Sequence, residues 1–514
     1  MKKLLVLLAL MLLPLAVSAS TIRVTIDGIN YKLDTSNNTA VVIRWSGGPS
    51  NKYSGDIVIP PTVNDYGTDY TVTGIGNSAF DSCTELTSVT FPHTITSLGN
   101  EVFEGCTGLV SIVIEEGCQK YDSRENCNAI IETASNKLLY GCNSTIIPNS
   151  VTTIAQHAFL GCGLTSIIIP DGVTDIENEA FKNCVGLTSI YIGKGVNNIG
   201  YDAFYGCSNL TKVEINNNAM VSKSYEGLSS IGAFFGGQVK ELILGEEVTS
   251  IGNSAFYGCQ EMTSLNMSDN VTAIAEKAFM FCSQLSSVRL SNSLKTIGEY
   301  AFQNCQSLPS IIIPESMRTI GFWAFGWCFN LERVEIYSHE IVSKENNEQY
   351  YSLPSCFGKQ VKEYILGGKV TGIGDFTFFE SNELTSTNIP SHVTCVGDSA
   401  FYKCQDIADV YCYAVQVPET GKDVFILSNY TNATLHVPAV SLEAYRNAEQ
   451  WKDFGNIVAL TENDPNPTGI KGVNNDTMTA EYYYSIDGKR NKSPQRGLNI
   501  VKMSDGSTRK VMIK

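Results

Sequence analysis

Histidine and tryptophan are scarce in this chain, with five His and four Trp among 514 residues. The histidines are His93, His157, His339, His392 and His436, and none opens a His-Glu-x-x-His motif. No loop ends in Gly-Lys-Ser/Thr to cradle a phosphate, and no Gly-x-Ser-x-Gly elbow presents a nucleophile. No Cys pair or Cys/His quartet has zinc-ligand spacing. These absences remove the motif-bearing classes of enzyme, so the chain reads as a non-enzyme with no cofactor and no metal. Basic residues are also in deficit, 36 against 52 acidic, leaving a net charge of −16. That charge repels phosphate backbones and anionic membrane surfaces, which argues against nucleic acid and favours a cationic or neutral partner.

Long apolar runs are absent after the first residues. Lys2 and Lys3 precede the apolar stretch Leu4 to Leu15, and Val17-Ser18-Ala19 supplies small residues for cleavage before Ser20. Residues 1–19 therefore read as a signal peptide, the run being shorter than the ~20 residues needed to span a bilayer. With no other such run, the mature chain is expected to lack a transmembrane segment and to be exported, to the cell surface or beyond it.

What the chain does have is a repeat. An Ala-Phe pair recurs, usually 22 or 23 residues apart, with Phe80, Phe103, Phe159, Phe181, Phe204, Phe256, Phe279, Phe302, Phe325, Phe378 and Phe401 as anchors. Cys follows three residues later at Cys83, Cys106, Cys162, Cys184, Cys207, Cys259, Cys282, Cys305, Cys328 and Cys404, and Ser381 alone breaks that column. Phe235 and Phe357 mark degenerate units, and a third is hidden near Tyr140-Gly141-Cys142. Val239-Lys240-Glu241-Leu242-Ile243-Leu244-Gly245 is nearly repeated as Val361-Lys362-Glu363-Tyr364-Ile365-Leu366-Gly367, so a block of about 121 residues occurs twice. Within a unit, Leu86, Val89 and Phe91 follow the L-x-x-L-x-L pattern of a leucine-rich-repeat strand, with Thr90 turned outward. One such unit cannot bury its own faces and must stack on its neighbours. About fourteen turns at ~4.8 Å predict an array roughly 65 Å long.

The motif Leu164-Thr165-Ser166-Ile167-Ile168-Ile169-Pro170, followed by Val173, Ile176, Ala180-Phe181 and Cys184, resembles the BspA-like leucine-rich-repeat family of exported bacterial proteins. The resemblance covers roughly residues 55 to 415. It implies a repeat solenoid with a parallel β-sheet on one face, and adhesion-type binding to partners such as extracellular-matrix proteins.

The expected organisation is a signal peptide at 1–19, a β-rich N-terminal cap at 20–75, the solenoid at 76–414, a C-terminal cap at 415–460, a linker at 461–478 and a small β-domain at 479–514. In the second cap Leu435-His436-Val437-Pro438 reads as a final strand, and Ser441 to Trp451 as a helix N-capped by Ser441. Tyr483-Tyr484-Ser485-Ile486-Asp487-Gly488-Lys489 and Gly497-Leu498-Asn499-Ile500-Val501 precede an Asp505-Gly506 turn. This text resembles the C-terminal sorting domains of type IX secretion substrates; a plain β-domain is the other reading.

The column cysteines read as buried, hydrophobe-like thiols. Cys118, Cys127, Cys142, Cys356, Cys395 and Cys412 lie off the column and are the better disulfide candidates, Cys118 with Cys127 first. The outward strand positions line one sheet face: Thr90, Val113, Ile168, Tyr191, Glu214, Asn266, Arg289, Ile312, Glu335, Asn388 and Tyr411. Tyr191, Lys212, Glu214, Arg289, Arg333, Glu335 and Tyr411 are the candidate binding residues, because Tyr and Arg dominate binding hot spots. For each residue singly, a solvated sheet face explains it as well. Insertions at about 216–234 and 337–356, carrying Tyr225, Phe234, Tyr337, Tyr350 and Tyr351, are expected to interrupt the solenoid and are further candidates. The function expected is binding of a host or neighbouring-cell protein; the alternative is capture of a glycan.

Overall fold

The computed structural model describes residues 21–44, 53–226, 230–344, 352–462, 464–465, 480–484, 490–491, 497–503 and 508–513. The signal-peptide reading, nearly all of the linker reading, and Tyr350 and Tyr351 fall outside these residues. The chain is a solenoid of about sixteen turns with parallel sheets.

Three backbone ladders hold each turn to the next. The first is the strand face, where Ser166–Ile169, Ser189–Ile192, Lys212–Ile215, Glu241–Leu244 and Ser264–Met267 pair in parallel, in register. Alternation sends Ile190 and Ile192 into the core and leaves Tyr191 outside. The second ladder is built from two-residue strands on another side, such as Ser250–Ile251, Ala273–Ile274, Thr296–Ile297 and Thr319–Ile320.

The third ladder runs along the Ala-Phe turns. Residues two before and two after the anchor Phe are left-handed, as in Glu179 (φ 57°) and Asn183 (φ 59°) around Phe181. That alternation aims every second N–H along the axis. Glu179, Phe181 and Asn183 donate to the carbonyls of Tyr201, Ala203 and Tyr205 at 3.0, 2.8 and 2.8 Å. The N–H groups between them close local turns, Lys182 on Glu179 and Cys184 on Phe181. A left-handed non-Gly residue costs on the order of 1 kcal/mol. A backbone hydrogen bond returns a comparable ~0.5–1.5 kcal/mol, so the ladder roughly offsets its own strain.

Under this ladder the Phe rings form a spine. Phe159, Phe181 and Phe204 stack with centroids 4.7 and 5.1 Å apart, and Phe256, Phe279, Phe302 and Phe325 continue at 5.3, 5.1 and 5.0 Å. Phe235 and Phe357 extend the spine, each 5.1 Å from the anchor before it. The degenerate units are thus full turns of the core. Phe425 is one more, 5.4 Å from Phe401, and lies inside the segment assigned from sequence to the cap.

The cysteine column has a hydrogen-bonding role. Cys184, Cys207, Cys305 and Cys328 donate their thiols to the anchor carbonyl of the preceding turn, Phe159, Phe181, Phe279 and Phe302, at 2.9 to 3.4 Å. Burial holds the Cys404 thiol well above the ordinary thiol range. After each degenerate unit a glutamine intervenes. Gln238 and Gln360 donate to the carbonyls of Phe235 and Phe357 at 2.9 and 2.8 Å. The following column residues, Cys259 and Ser381, have lost that role: Cys259 is half-buried, and the buried Ser381 hydroxyl has no partner. None of the sixteen cysteines is in a disulfide, Cys118 and Cys127 included. The two point at different acceptors, Ile95 O and Ala129 O, which corrects the pairing expected from their spacing.

The insertions do not interrupt the solenoid. The strands flanking them pair directly, Lys212 with Glu241 and Arg333 with Glu363. The extra residues form short helices, Asn218–Val221 and Ile231–Phe235 in one copy, His339–Val342 and Leu353–Phe357 in the other. A real discontinuity occurs earlier. An antiparallel hairpin, Ala129–Glu132 with Lys137–Gly141, separates the strand Ser111–Ile114 from Ser166–Ile169. The core divides there into two clusters. Gly141 is required at this point, since a Cβ would lie 2.1 Å from the Phe159 ring.

At the N-terminal end the strands Thr21–Ile26, Ile29–Asp34, Thr39–Val42, Thr62–Asp65 and Thr68–Ile75 form one sheet, while Gly55–Val58 joins the strand face. At the other end Thr434–Val437 is followed by one more face strand, Asn456–Ala459. Between them Leu442–Asn447 is helical, and Trp451 is buried against Tyr445, Phe425 and Phe454. Ser441 precedes that helix, but its hydroxyl donates to Val415 O at 2.6 Å instead of capping it. Ala480–Tyr484, Arg490–Asn491, Gly497–Met503 and Thr508–Ile513 make a four-stranded antiparallel sheet.

Cys305→Ala is expected to lower the unfolding free energy by about 1–2 kcal/mol, and Ser381→Ala to raise it by up to about 1 kcal/mol. Urea titration of both variants checks the pair, and equal destabilisation by both would contradict the role given to the thiols. In the folded chain a thiol reagent should label exposed Cys395 first, half-buried Cys118 and Cys259 more slowly, and the buried column only after denaturation.

Candidate functional site

Register divides the strand face into runs. Ile168, Tyr191, Glu214, Ile243, Asn266 and Arg289 are successive neighbours in one, and Ile312, Glu335 and Ile365 in the next. Further along, Tyr411 and His436 are neighbours, their rings stacked 4.4 Å apart, and Val458 follows on the last face strand. Asn388, expected outward, is buried instead. Its amide bridges Leu366, accepting from the N–H at 2.6 Å and donating to the carbonyl at 2.9 Å. Only two residue pairs therefore form between Glu363–Leu366 and Ser386–Ile389.

The candidates fall into separate patches along the face. Tyr191, Lys212 and Glu214 sit on adjacent strands, and Lys212 reaches Glu241 at 3.0 Å. Arg333 and Glu335 are their counterparts in the second block. Arg333 holds Glu335 at 3.1 Å and Glu363 at 2.5 Å, and the Tyr337 hydroxyl donates to Glu335 at 3.0 Å. Both copies of the block thus pair a cation with the carboxylate on the next strand at the same place, and Arg333 holds a second carboxylate as well. Partial burial, then the Glu335 carboxylate, pushes the Tyr337 phenol up to about 12. Burial raises the Tyr191 phenol more modestly.

Arg289 stands alone on its strand and bonds Met267 O, Asn266 and Asp269. The Asn292 backbone N–H, assisted by the Asn292 amide and by Arg289, holds the Asp269 carboxyl below its ordinary range. Tyr411 is neighboured by His436, which contacts Asp409 at 2.8 Å. The exposed apolar residues Val113, Ile168 and Ile312 complete the column.

Sequence reading missed Glu241 and Glu363, the partners of Lys212 and Arg333. The insertions put them 29 and 30 residues away. The recurrence of Lys240-Glu241 as Lys362-Glu363 was the available signal. Of the insertion tyrosines, Tyr225 is half-buried, donating to Met220 O at 2.8 Å and packing on Phe234. Among the described residues no group of three or more His, Cys, Asp or Glu could hold a metal ion, and no helix is long and apolar enough to cross a membrane.

These ion pairs are half-exposed, and such pairs contribute about 0–1 kcal/mol. Lys212→Ala and Arg333→Ala are therefore expected to shift the unfolding free energy by less than about 1 kcal/mol. Calorimetry of the two variants checks this, and a larger loss would make the clusters structural.

The family described as a BspA type leucine rich repeat region matches in six copies over residues 67–139, 131–226, 229–353 and 354–450. No curated protein matches the chain. Among solved structures, a leucine rich cell surface protein from Faecalibacterium prausnitzii is similar at 25% identity, over 72% of this chain and 94% of its own, with a TM-score of 0.31. A leucine-rich repeat protein from Bacteroides ovatus is 22% identical over 85% of this chain and all of its own, with a TM-score of 0.30. The pneumococcal vaccine antigen PcpA is 15% identical over 86% and 99%, with a TM-score of 0.29.

Proposed function

The chain belongs to the BspA-type leucine-rich-repeat family, and on that premise we propose that it is an exported bacterial surface or secreted protein that adheres to an extracellular protein through its strand face. The observation that carries the reading is the duplicated charge cluster, Lys212 with Glu241 and Arg333 with Glu335 and Glu363. Each lies on rigid, paired strands yet is half-exposed, so a partner's charges can replace the intramolecular ones at little cost. Tyr191 beside the first cluster and Tyr411 further along supply rigid aromatic contacts. Arg289, held by Asp269, presents a third cationic point. Extracellular-matrix proteins of a host are the class of partner this reading names. The chain acts as a binding scaffold, not as an enzyme, and needs no cofactor. Residues 479–514 fit either a sorting signal or a plain β-domain.

The test is saturable binding of the purified chain to immobilised matrix proteins and to host cells at physiological salt. The double variant Tyr191→Ala with Arg289→Ala is expected to weaken binding at least tenfold, about 1.4 kcal/mol. Full binding to host cells stripped of surface protein by protease would sink the proposal.

A further inference from the structure

Around the anchor Phe325 the turn face carries aromatic residues that the fold does not use. Phe322, Trp323, Trp327 and Phe329 line a groove of about 360 Å³ together with Phe379 from a later turn. Trp323 stacks on Phe322 at 5.7 Å and meets Trp327 edge-on at 5.5 Å. Trp327 is 47% exposed and Phe329 63%. Both tryptophans hold left-handed backbone, at φ 50° and 58°.

The duplication supplies an internal control. In the sister turn around Phe204, the places of Trp323, Trp327 and Phe329 are taken by Asp202, Gly206 and Ser208. Phe204 nonetheless stacks 5.1 Å from Phe181 and 5.1 Å from Phe235, as Phe325 does at 5.0 and 5.1 Å from Phe302 and Phe357. The turn therefore forms without Trp323, Trp327 and Phe329, while Tyr201 keeps a ring at the place of Phe322 and Tyr205 stands at that of Gly326. Lys359 and Glu380 on the groove wall likewise stand where the sister block has Gly237 and Gly258.

The groove's chemistry narrows its occupant. Its backbone is committed: Trp323 and Phe325 donate to Ser355 O and Cys356 O, both at 2.8 Å, and Gly358 to Pro354 O at 2.9 Å. An extended peptide finds no open strand edge there. The wall carries one cation and one anion, Lys359 and Glu380, paired at 2.6 Å, so its charges cancel and a strongly ionic ligand gains little. What is offered is a set of flat aromatic faces beside hydroxyl, amide and ion-paired groups, in a volume within the ~300–1,000 Å³ of ordinary ligand sites. A pyranose ring matches that offer, with an apolar C–H face to lie on an indole and hydroxyls to reach the rim. We propose that this groove binds one or two pyranose units of a neutral glycan, independently of the strand face.

The test uses the full chain on an array of neutral and charged oligosaccharides, followed by tryptophan-fluorescence titration with the neutral oligosaccharide that scores highest. Expected is a neutral hit whose Kd rises at least tenfold in Trp327→Gly and in Trp323→Asp, substitutions the sister turn already tolerates. Tyr191→Ala with Arg289→Ala should leave that Kd unchanged, which separates this site from the strand face. Silence of the folded chain across the array at millimolar ligand overturns the proposal. So does a hit that survives both tryptophan substitutions, or a groove that instead selects peptides from a displayed library and loses them in Trp327→Gly.

Discussion

Every feature of this chain depends on hydrogen bonding along the axis, from one turn to the next. A single turn leaves half of its backbone polar groups and both flanks of its apolar side chains unsatisfied, and only another turn can cover them. The strand face, the rear two-residue strands and the left-handed ladder at the anchor fix three points of each turn. With three points fixed, the Phe rings of successive turns are brought into stacking distance. The Cys column completes the same arrangement by giving most anchor carbonyls, such as those of Phe159, Phe181, Phe279 and Phe302, a second donor.

The periodic apolar frame made the solenoid legible from the sequence alone. Phe181, Cys184, Leu187, Ile190 and Ile192 recur with a spacing that only a stacked array explains. The turn at Phe425 was not legible, because Val424 stands in place of Ala and Ser428 in place of Cys. Ser428 still donates to Phe401 O, so the chemistry persists under a changed letter. The left-handed positions were also invisible. They are filled by Glu179, His157, Lys277 or Trp323 as readily as by Gly206, since what selects them is backbone direction and not side-chain type.

The candidate binding face was legible as a column and illegible as a set of contacts. Alternation along a strand gives inward or outward, and it placed Tyr191, Arg289 and Arg333 outside. It does not give the cross-strand neighbour when an insertion shifts the spacing, so the carboxylates flanking Lys212 and Arg333 were missed. Asn388 shows the opposite failure. Its position in the repeat is outward, but a side chain that can satisfy both the N–H and the carbonyl of Leu366 is drawn in. The two blocks meanwhile diverge on one face and agree on another. The strand clusters keep their charge pattern, whereas the turn around Phe325 has gained rings that its sister lacks.

The hairpin between Ala129 and Gly141 gives the array a mechanical seam. On either side, successive turns are joined by two or three backbone ladders. The hairpin itself joins the later rear strands, Lys137–Gly141 pairing in parallel with Thr153–Ile154; toward the N-terminal turns the strand face and the rear strands both lapse, and the joint rests on scattered bonds such as Asn143 N–H to Leu109 O and Tyr140 hydroxyl to Gly99 O. Load applied along the axis is shared by many bonds in the ladders and by few at the seam. A chain stretched from its two ends would open there first and lengthen while the long array from Ser166 onward stayed intact.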